Sequence, residues 1–341
     1  MALPITIPYT FANATTSIPL SNLDSDFATV VNTINGIGNG TVGLTTITSP
    51  AGTPLTVQSA GTTAMTIDTS QNATFSNTVA MAYSFKRNII INGNFLINQR
   101  GYVSGAATAS GSYMHDRWKS TTTSSNYTFT QGTPDTTITI AAGTIAQIVE
   151  DKNVVGGVYT LSWTGTTTAR IAINGGTTSG SYAASPITTS SATAGQTITV
   201  EFSTGTLGKV QLELGTIATP YERQIYSDQL AQCQRYFEKS YSQTQALGTV
   251  DETSATWASV NTSDATLATM QQTYKVTKRT TPTIVVYNTA TGATGTFIYG
   301  ASTATVSAVP TGDSIMGRIY ATASMTSGIY LRFHWTASAE L

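Results

Sequence analysis

The chain has 341 residues and a formal net charge of −1, and charged residues make up only 10% of it, where an ordinary globular protein has about a quarter. With no concentration of Lys and Arg there is no electrostatic basis for gripping nucleic acid, and a single cysteine, Cys233, excludes an internal disulfide or a multi-cysteine metal site. Polarity rests on Thr, Ser, Asn and Gly, which favour strands and turns, while 16 Tyr, 10 Phe and 4 Trp argue against disorder.

Residues 1–20 alternate prolines with apolar residues and read as extended chain. The opening MALPITIPYTF has no basic residue and does not look like a signal peptide. A helix follows, with Ser21 and Asp24 approximating a capping box, Leu23, Phe27, Val30, Val31 and Ile34 on one side, and Gly36 and Gly38 at its end. Such a helix is marginal alone, so its stripe is expected to bury against copies of itself or a docking partner, or to pack on the strands that follow. Over 44–83, Leu55-Thr56-Val57, Met65-Thr66-Ile67 and Ala73-Thr74-Phe75 recur at intervals of ten and eight residues. Each buries two side chains per turn. The expectation is a thin β-stalk in which three chains wind about an axis, with a solitary hairpin as the alternative.

Residues 84–225 carry strand candidates at Ile89–Ile91, Tyr127–Phe129, Thr137–Ile140, Ile145–Val149, Tyr159–Trp163, Arg170–Ile173, Ile198–Phe202 and Lys209–Leu214, separated by turn residues. This predicts an antiparallel sandwich of jelly-roll type, with Tyr159, Leu161 and Trp163 facing its core. The stretch from Val210 to Tyr241 closes that sandwich and then predicts a linking helix over 227–240, with Leu230, Cys233, Phe237 and Tyr241 in one stripe. The remainder to 341 is again all-β and is expected to form a second sandwich. In its last strand Ile329, Leu331, Phe333 and Trp335 should face the core, and Tyr330, Arg332 and His334 the other side.

No catalytic constellation is visible. The adjacent pairs Glu150-Asp151 and Asp251-Glu252 read as solvated loops whose side chains diverge, not as carboxylates flanking a glycosidic bond. No nucleophile elbow, phosphate loop or metalloprotease helix occurs. His115 and His334 lie far apart, which gives no histidine metal site, and no apolar run approaches the roughly 18 residues of a membrane span. Sugar binding fits the composition better, since aromatic faces and neutral hydrogen-bonding groups suffice. The candidate ligand-facing residues are Trp257, Tyr299, Tyr320, Tyr330, Arg332 and His334, with Asn288–Thr296 and Val309–Ser314 as surface loops.

Three segments carry a resemblance: NIIINGNFLINQRG at 88–101, SYMHDRW at 112–118, and QLELG, ATPYE and CQRYFEKSY within 211–241. In order and spacing they resemble tail fibre or receptor-binding proteins of tailed bacteriophages. PITIPYTFANATTSIPLSNLDSDFATV at 4–30 looks like fibre starts that dock on a baseplate or tail, and HWTASAEL at 334–341 like fibre ends. The resemblance implies a carbohydrate-binding-module-like jelly roll at 84–225. Within its motifs Asp116 and Arg117 should pair or cap a strand, Trp118 should be core, and Glu213, Glu222 and Arg223 should tie the closing strand to the helix.

The expectation is thus a mostly β homotrimer. Residues 1–43 attach it to the virion, 44–83 form an intertwined stalk, 84–225 a jelly roll, and 226–341 a linking helix with a receptor-binding β-domain. The trimer interface is expected at Phe27, Val30, Val31 and Ile34, and again at Leu230, Cys233 and Phe237. The expected partners are its own copies, a baseplate or tail protein, and a bacterial surface glycan, with no cofactor, metal, nucleic acid or membrane insertion. The protein would be made in the host bacterial cytoplasm and reside in the virion tail. A glycan depolymerase of tailspike type and a purely structural fibre are the other readings.

Overall fold

A computed structural model describes residues 17, 19–38, 49–75, 86–175, 180–259, 270–308, 313, 315–321 and 326–341, and their side chains except at 33–38, 59, 75, 270–272, 307–308 and 316–321. Among the described residues the chain is mostly β, with two α-helices and several antiparallel sheets, and it divides into two compact units, 1–81 and 82–341. The loop expected at 309–314 lies outside the described residues, Asp313 excepted.

In the first unit α1 spans Leu20–Gly38. Ser21 lies within the helix instead of capping it. Leu23, Phe27 and Val31 are exposed and Val30 half-buried, so the stripe packs on nothing that is described, while the side chain of Ile34 lies outside the described ones. Strands β1 (Leu55–Ser59), β2 (Thr62–Ile67) and β3 (Ala73–Phe75) are the three strandlets. They pair with one another as an antiparallel meander within the chain.

The second unit begins as two antiparallel sheets around one core. The strands are β4 (Lys119–Ser120), β5 (Asn126–Phe129), β6 (Ile138–Ala142), β7 (Ile145–Val149), β8 (Tyr159–Thr164), β9 (Ala169–Ile173), β10 (Ile187–Thr188), β11 (Ile198–Phe202) and β12 (Gly205–Leu214). One sheet runs β10-β8-β12-β6-β5, the other β4-β7-β11-β9. Alternation works as expected: Tyr159, Leu161 and Trp163 of one sheet meet Ile198, Val200 and Phe202 of the other, and Trp118 is fully buried among them. Ile89–Ile91 is not a strand. Its backbone is held by side chains, Asn88 Oδ1 accepting from Ile90 N and Gln147 Oε1 from Ile91 N. Gly93 has to be glycine, because a Cβ there would sit 2.2 Å from the Val210 carbonyl oxygen of β12.

The linking helix α2 is shorter than its stripe suggested, Tyr226–Gln234. Phe237 belongs instead to β13 (Phe237–Lys239), which pairs with the last strand, and Tyr241 follows it. A four-residue spacing of apolar side chains continued past the point where sheet pairing took over the backbone. The further strands are β14 (Thr256–Ser259), β15 (Met270–Thr273), β16 (Thr283–Tyr287), β17 (Thr296–Tyr299), β18 (Ser302–Ala308), β19 (Met316–Ala321) and β20 (Tyr330–Ser338). They form one connected eight-stranded sheet rather than a sandwich of two separate ones. β20 is its spine, with β14 and β17 flanking its first half and β13 and β16 its second. Leu331, Phe333 and Trp335 face the core, as their alternation predicted. Asn288 and Thr289, expected in a surface loop, are buried; Asn288 Oδ1 accepts from Ala290 N and Thr291 N.

The two β regions are joined through buried charge. Glu340 lies between Arg100 (2.9 Å) and Arg117, and all three are largely buried. Arg117 also lies 3.6 Å from the centroid of the Tyr236 ring and donates to the Ile148 carbonyl, while Arg100 lies 3.8 Å from the centroid of Phe237. Tyr113 Oη and Lys119 Nζ donate to the Leu341 main-chain oxygen. Arg117 thus pairs with Glu340 and not with its neighbour Asp116, whose carboxylate accepts from Gln99 N and Nε2. Gln99 Nε2 also donates to the Phe237 carbonyl.

The same joint corrects three further expectations. Glu150 is not in a solvated loop: it is buried and bound by Arg235 and the Tyr236 hydroxyl. Glu213 pairs with Arg87 and Glu222 accepts from Asn88 N, which ties them to the sandwich's first segment, while Arg223 pairs with Asp135 in the segment before β6; none of these contacts is to α2. Cys233 and Phe237 are sealed by their own chain, Cys233 packing with Ile91, Ile97 and Tyr236, so neither lies open for a trimer seam; Leu230 is half-buried against the same cluster.

Two measurements follow from these buried charges. Glu340→Ala leaves two guanidinium groups without their carboxylate and is expected to cost about 3–5 kcal/mol, read as a lower urea midpoint of the whole chain; a loss below about 1 kcal/mol would mean that water reaches the joint. His115, buried among Phe95, Tyr127 and Phe129, is held neutral down to about 3, mainly by burial. Below its ordinary 6.5 the unfolded chain takes a proton that the folded chain refuses, so stability falls as pH drops from there to about 3. Asp116 acts with opposite sign: burial raises it to about 6, so the folded chain gains a proton first. His115→Gln is therefore expected to shrink the loss of melting temperature between neutral and acid pH, and an unchanged loss would show that His115 does not set it.

Candidate functional site

An exposed aromatic pair on the β14–β20 edge forms the candidate site. The antiparallel register sets Trp257 of β14 directly opposite Arg332 of β20, and Tyr330, two residues earlier, shares that face. The rings lie 5.5 Å apart at 39°, and the Arg332 guanidinium carbon is 5.2 Å from the Trp257 centroid and 5.4 Å from that of Tyr330. Trp257 is 56% and Tyr330 43% exposed. Both present apolar surface to water, with the cation lodged against them.

Behind the rings runs a polar strut. Arg332 Nη1 donates to the carboxylate of Glu252, whose side chain is half-exposed. Its neighbour Asp251 accepts from Ser254, Gln245 and the Thr253 N–H, which together hold its carboxyl well below the usual range. The Asp251 main-chain oxygen lies 3.0 Å from His334 Nε2, and Ser240 Oγ lies 3.0 Å from His334 Nδ1. A carbonyl can only accept, so Nε2 carries the proton and Nδ1 accepts from Ser240. Burial lowers the His334 pKa and keeps the ring neutral.

The sequence-derived candidates therefore divide. Trp257, Tyr330 and Arg332 come together. His334 does not join them: it is fully buried, stacked on Tyr241 at 3.8 Å, and supports the fold. Alternation put it on the correct face of β20, but the 240–254 segment covers that end. Tyr299 lies opposite Leu331, packs against the core, and accepts the Thr326 N–H through its hydroxyl. The side chain of Tyr320 lies outside the described ones. Glu252 was missed, because an Asp-Glu dipeptide carries no sign of the strand it will meet.

A concavity of about 340 Å³ lies on the β4-β7-β11-β9 sheet, lined by Lys119, Thr144, Arg170, Tyr182, Thr199 and Glu201. Its polar groups are already engaged. Glu201 is bound by Arg170 and the Tyr182 hydroxyl, and Lys119 by Leu341. Arg170 also lies 4.6 Å from the Tyr182 centroid, so the guanidinium covers one face of that ring. Among the described residues no three potential metal ligands cluster, and no described helix is long and apolar enough to cross a membrane.

His334→Ala removes a stacked ring and two hydrogen bonds from a sealed site and is expected to cost about 3 kcal/mol. Trp257→Ala should stay within about 1 kcal/mol. Thermal unfolding distinguishes the two, and equal losses would mean that Trp257 belongs to the core. Compared with known proteins, the chain matches no family model and no curated sequence.

Proposed function

We propose that the chain is the subunit of a homotrimeric bacteriophage tail fibre that attaches the virion to its host by non-covalent binding of a surface glycan. The observation that carries this reading is the exposed Trp257–Tyr330 pair beside Arg332. Sugar rings are held by stacking their C–H faces on such surfaces, with hydrogen bonds from neighbouring polar groups. The five- and four-stranded sheets around one core support the jelly-roll reading. The exposed stripe of Leu23, Phe27 and Val31 supports self-association through α1, and the residues before it are proposed to dock on a tail or baseplate protein. Trimerisation turns weak single contacts into useful avidity, since a second engagement is effectively intramolecular.

Binding rather than hydrolysis is proposed because the Asp251 carboxylate is held by Ser254 and Gln245, which leaves Glu252 without the second carboxylate that glycoside hydrolysis uses. The buried joint at Glu340 makes the full chain, not an excised 226–341 fragment, the material to test. Full-length protein is expected to compete with phage for adsorption to host cells. Trp257→Ala with Tyr330→Ala should weaken that competition at least about tenfold, the equivalent of about 1.4 kcal/mol. Sedimentation should give three times the chain mass. Release of oligosaccharide from host capsule or lipopolysaccharide would favour a depolymerase, and undiminished adsorption by the double variant a purely structural fibre.

A further inference from the structure

We infer that the Trp257–Tyr330 patch selects uncharged sugars and excludes acidic ones, and that Glu252 does both. This rests on reading the patch as the receptor site. The patch offers one cation, Arg332, and that cation is already answered by Glu252. Asp251, adjacent in the chain, is held ionised by Ser254, Gln245 and the Thr253 N–H. His334, the next residue on the same face of β20, is buried and neutral. The described charged groups at the patch are therefore the Arg332 guanidinium and the Glu252 carboxylate paired with it, with Asp251 next to Glu252 in the chain.

A ligand carboxylate or phosphate meets that balance unfavourably. At Arg332 Nη1 it has to displace Glu252, which then remains beside it as an unpaired negative charge, and at the other guanidinium nitrogens it still lies against the Glu252 carboxylate. A ligand that leaves the ion pair intact finds its own charge unanswered. An uncharged sugar faces neither cost. Its C–H face covers Trp257 and Tyr330, which the Arg332 guanidinium supports, and its hydroxyls donate to Glu252. That side chain is 49% exposed, and its Oε1 meets no donor among the described residues, Oε2 being the oxygen that takes Arg332. A carboxylate accepts well from hydroxyl donors because such bonds are charge-assisted. Glu252 is thus both the hydrogen-bonding partner of the sugar and the charge that excludes its acidic analogue.

The test uses the full-length chain and immobilised oligosaccharides, neutral ones and their uronic-acid or phosphorylated counterparts, with affinities read by biolayer interferometry. The parent is expected to bind neutral probes only, with an affinity that changes less than about twofold between about 50 and about 500 mM salt, since no ligand charge is there to be screened. Glu252→Gln keeps the size of the side chain and removes its charge. It should weaken neutral binding at least about fivefold and admit acidic probes through the released Arg332. A parent that binds acidic probes as tightly as neutral ones, or no neutral probe at all, overturns the inference, as does Glu252→Gln with unchanged neutral binding. Failure of the underlying site reading looks different: there, Trp257→Ala binds every probe as the parent does.

Discussion

Glu340, held between Arg100 and Arg117 and shielded from water, is the interaction on which the second unit depends. A carboxylate buried with two guanidinium groups is stable only if both remain, because removing either side leaves uncompensated charge in a low dielectric. The requirement reaches across the sequence. Arg100 and Arg117 come from the first hundred and twenty residues, Glu340 from the last strand's exit, and the rings of Tyr236 and Phe237 that flank the cations from the segment between. What reads as two β-domains joined by a helix is consequently one compact body.

The joint also draws together the segments 88–101, 112–118 and 211–241. Gly93 allows close approach to Val210, Gln99 bridges Asp116 and Phe237, and Trp118 fills the core. In the second half of the closing segment, CQRYFEK, Cys233 and Tyr236 pack with Ile91 and Ile97, and the Phe237 carbonyl accepts from Gln99. The segments meet across one interface within the chain. Trp257 and Tyr330 are among the large side chains that the packing leaves exposed.

A single strand organises both roles. One face of β20 carries Leu331, Phe333 and Trp335 into the core; the other carries Tyr330, Arg332 and His334. Covering by the 240–254 segment then divides the second face, sealing His334 and leaving Tyr330 open. The same segment supplies Glu252 to Arg332, so the element that closes one half of the face completes the chemistry of the other.

Period-two alternation made the strands, the core residues of β8 and β20, and the open half of the candidate site legible in the sequence, because side-chain direction in a strand depends only on position. Composition sufficed for the fold class, since Thr, Gly and Asn act locally on the backbone. Partners were not legible. Nothing near Arg117 in the chain points to Glu340, nothing near Glu150 to Arg235, and nothing near Arg332 to Glu252. Helical spacing misled at Phe237 because its backbone was claimed by β20. Local preference thus determined which residues form strands and which way they face, while burial, ion pairing and exposure were decided only when segments distant in sequence met, because those quantities belong to contacts and not to residues.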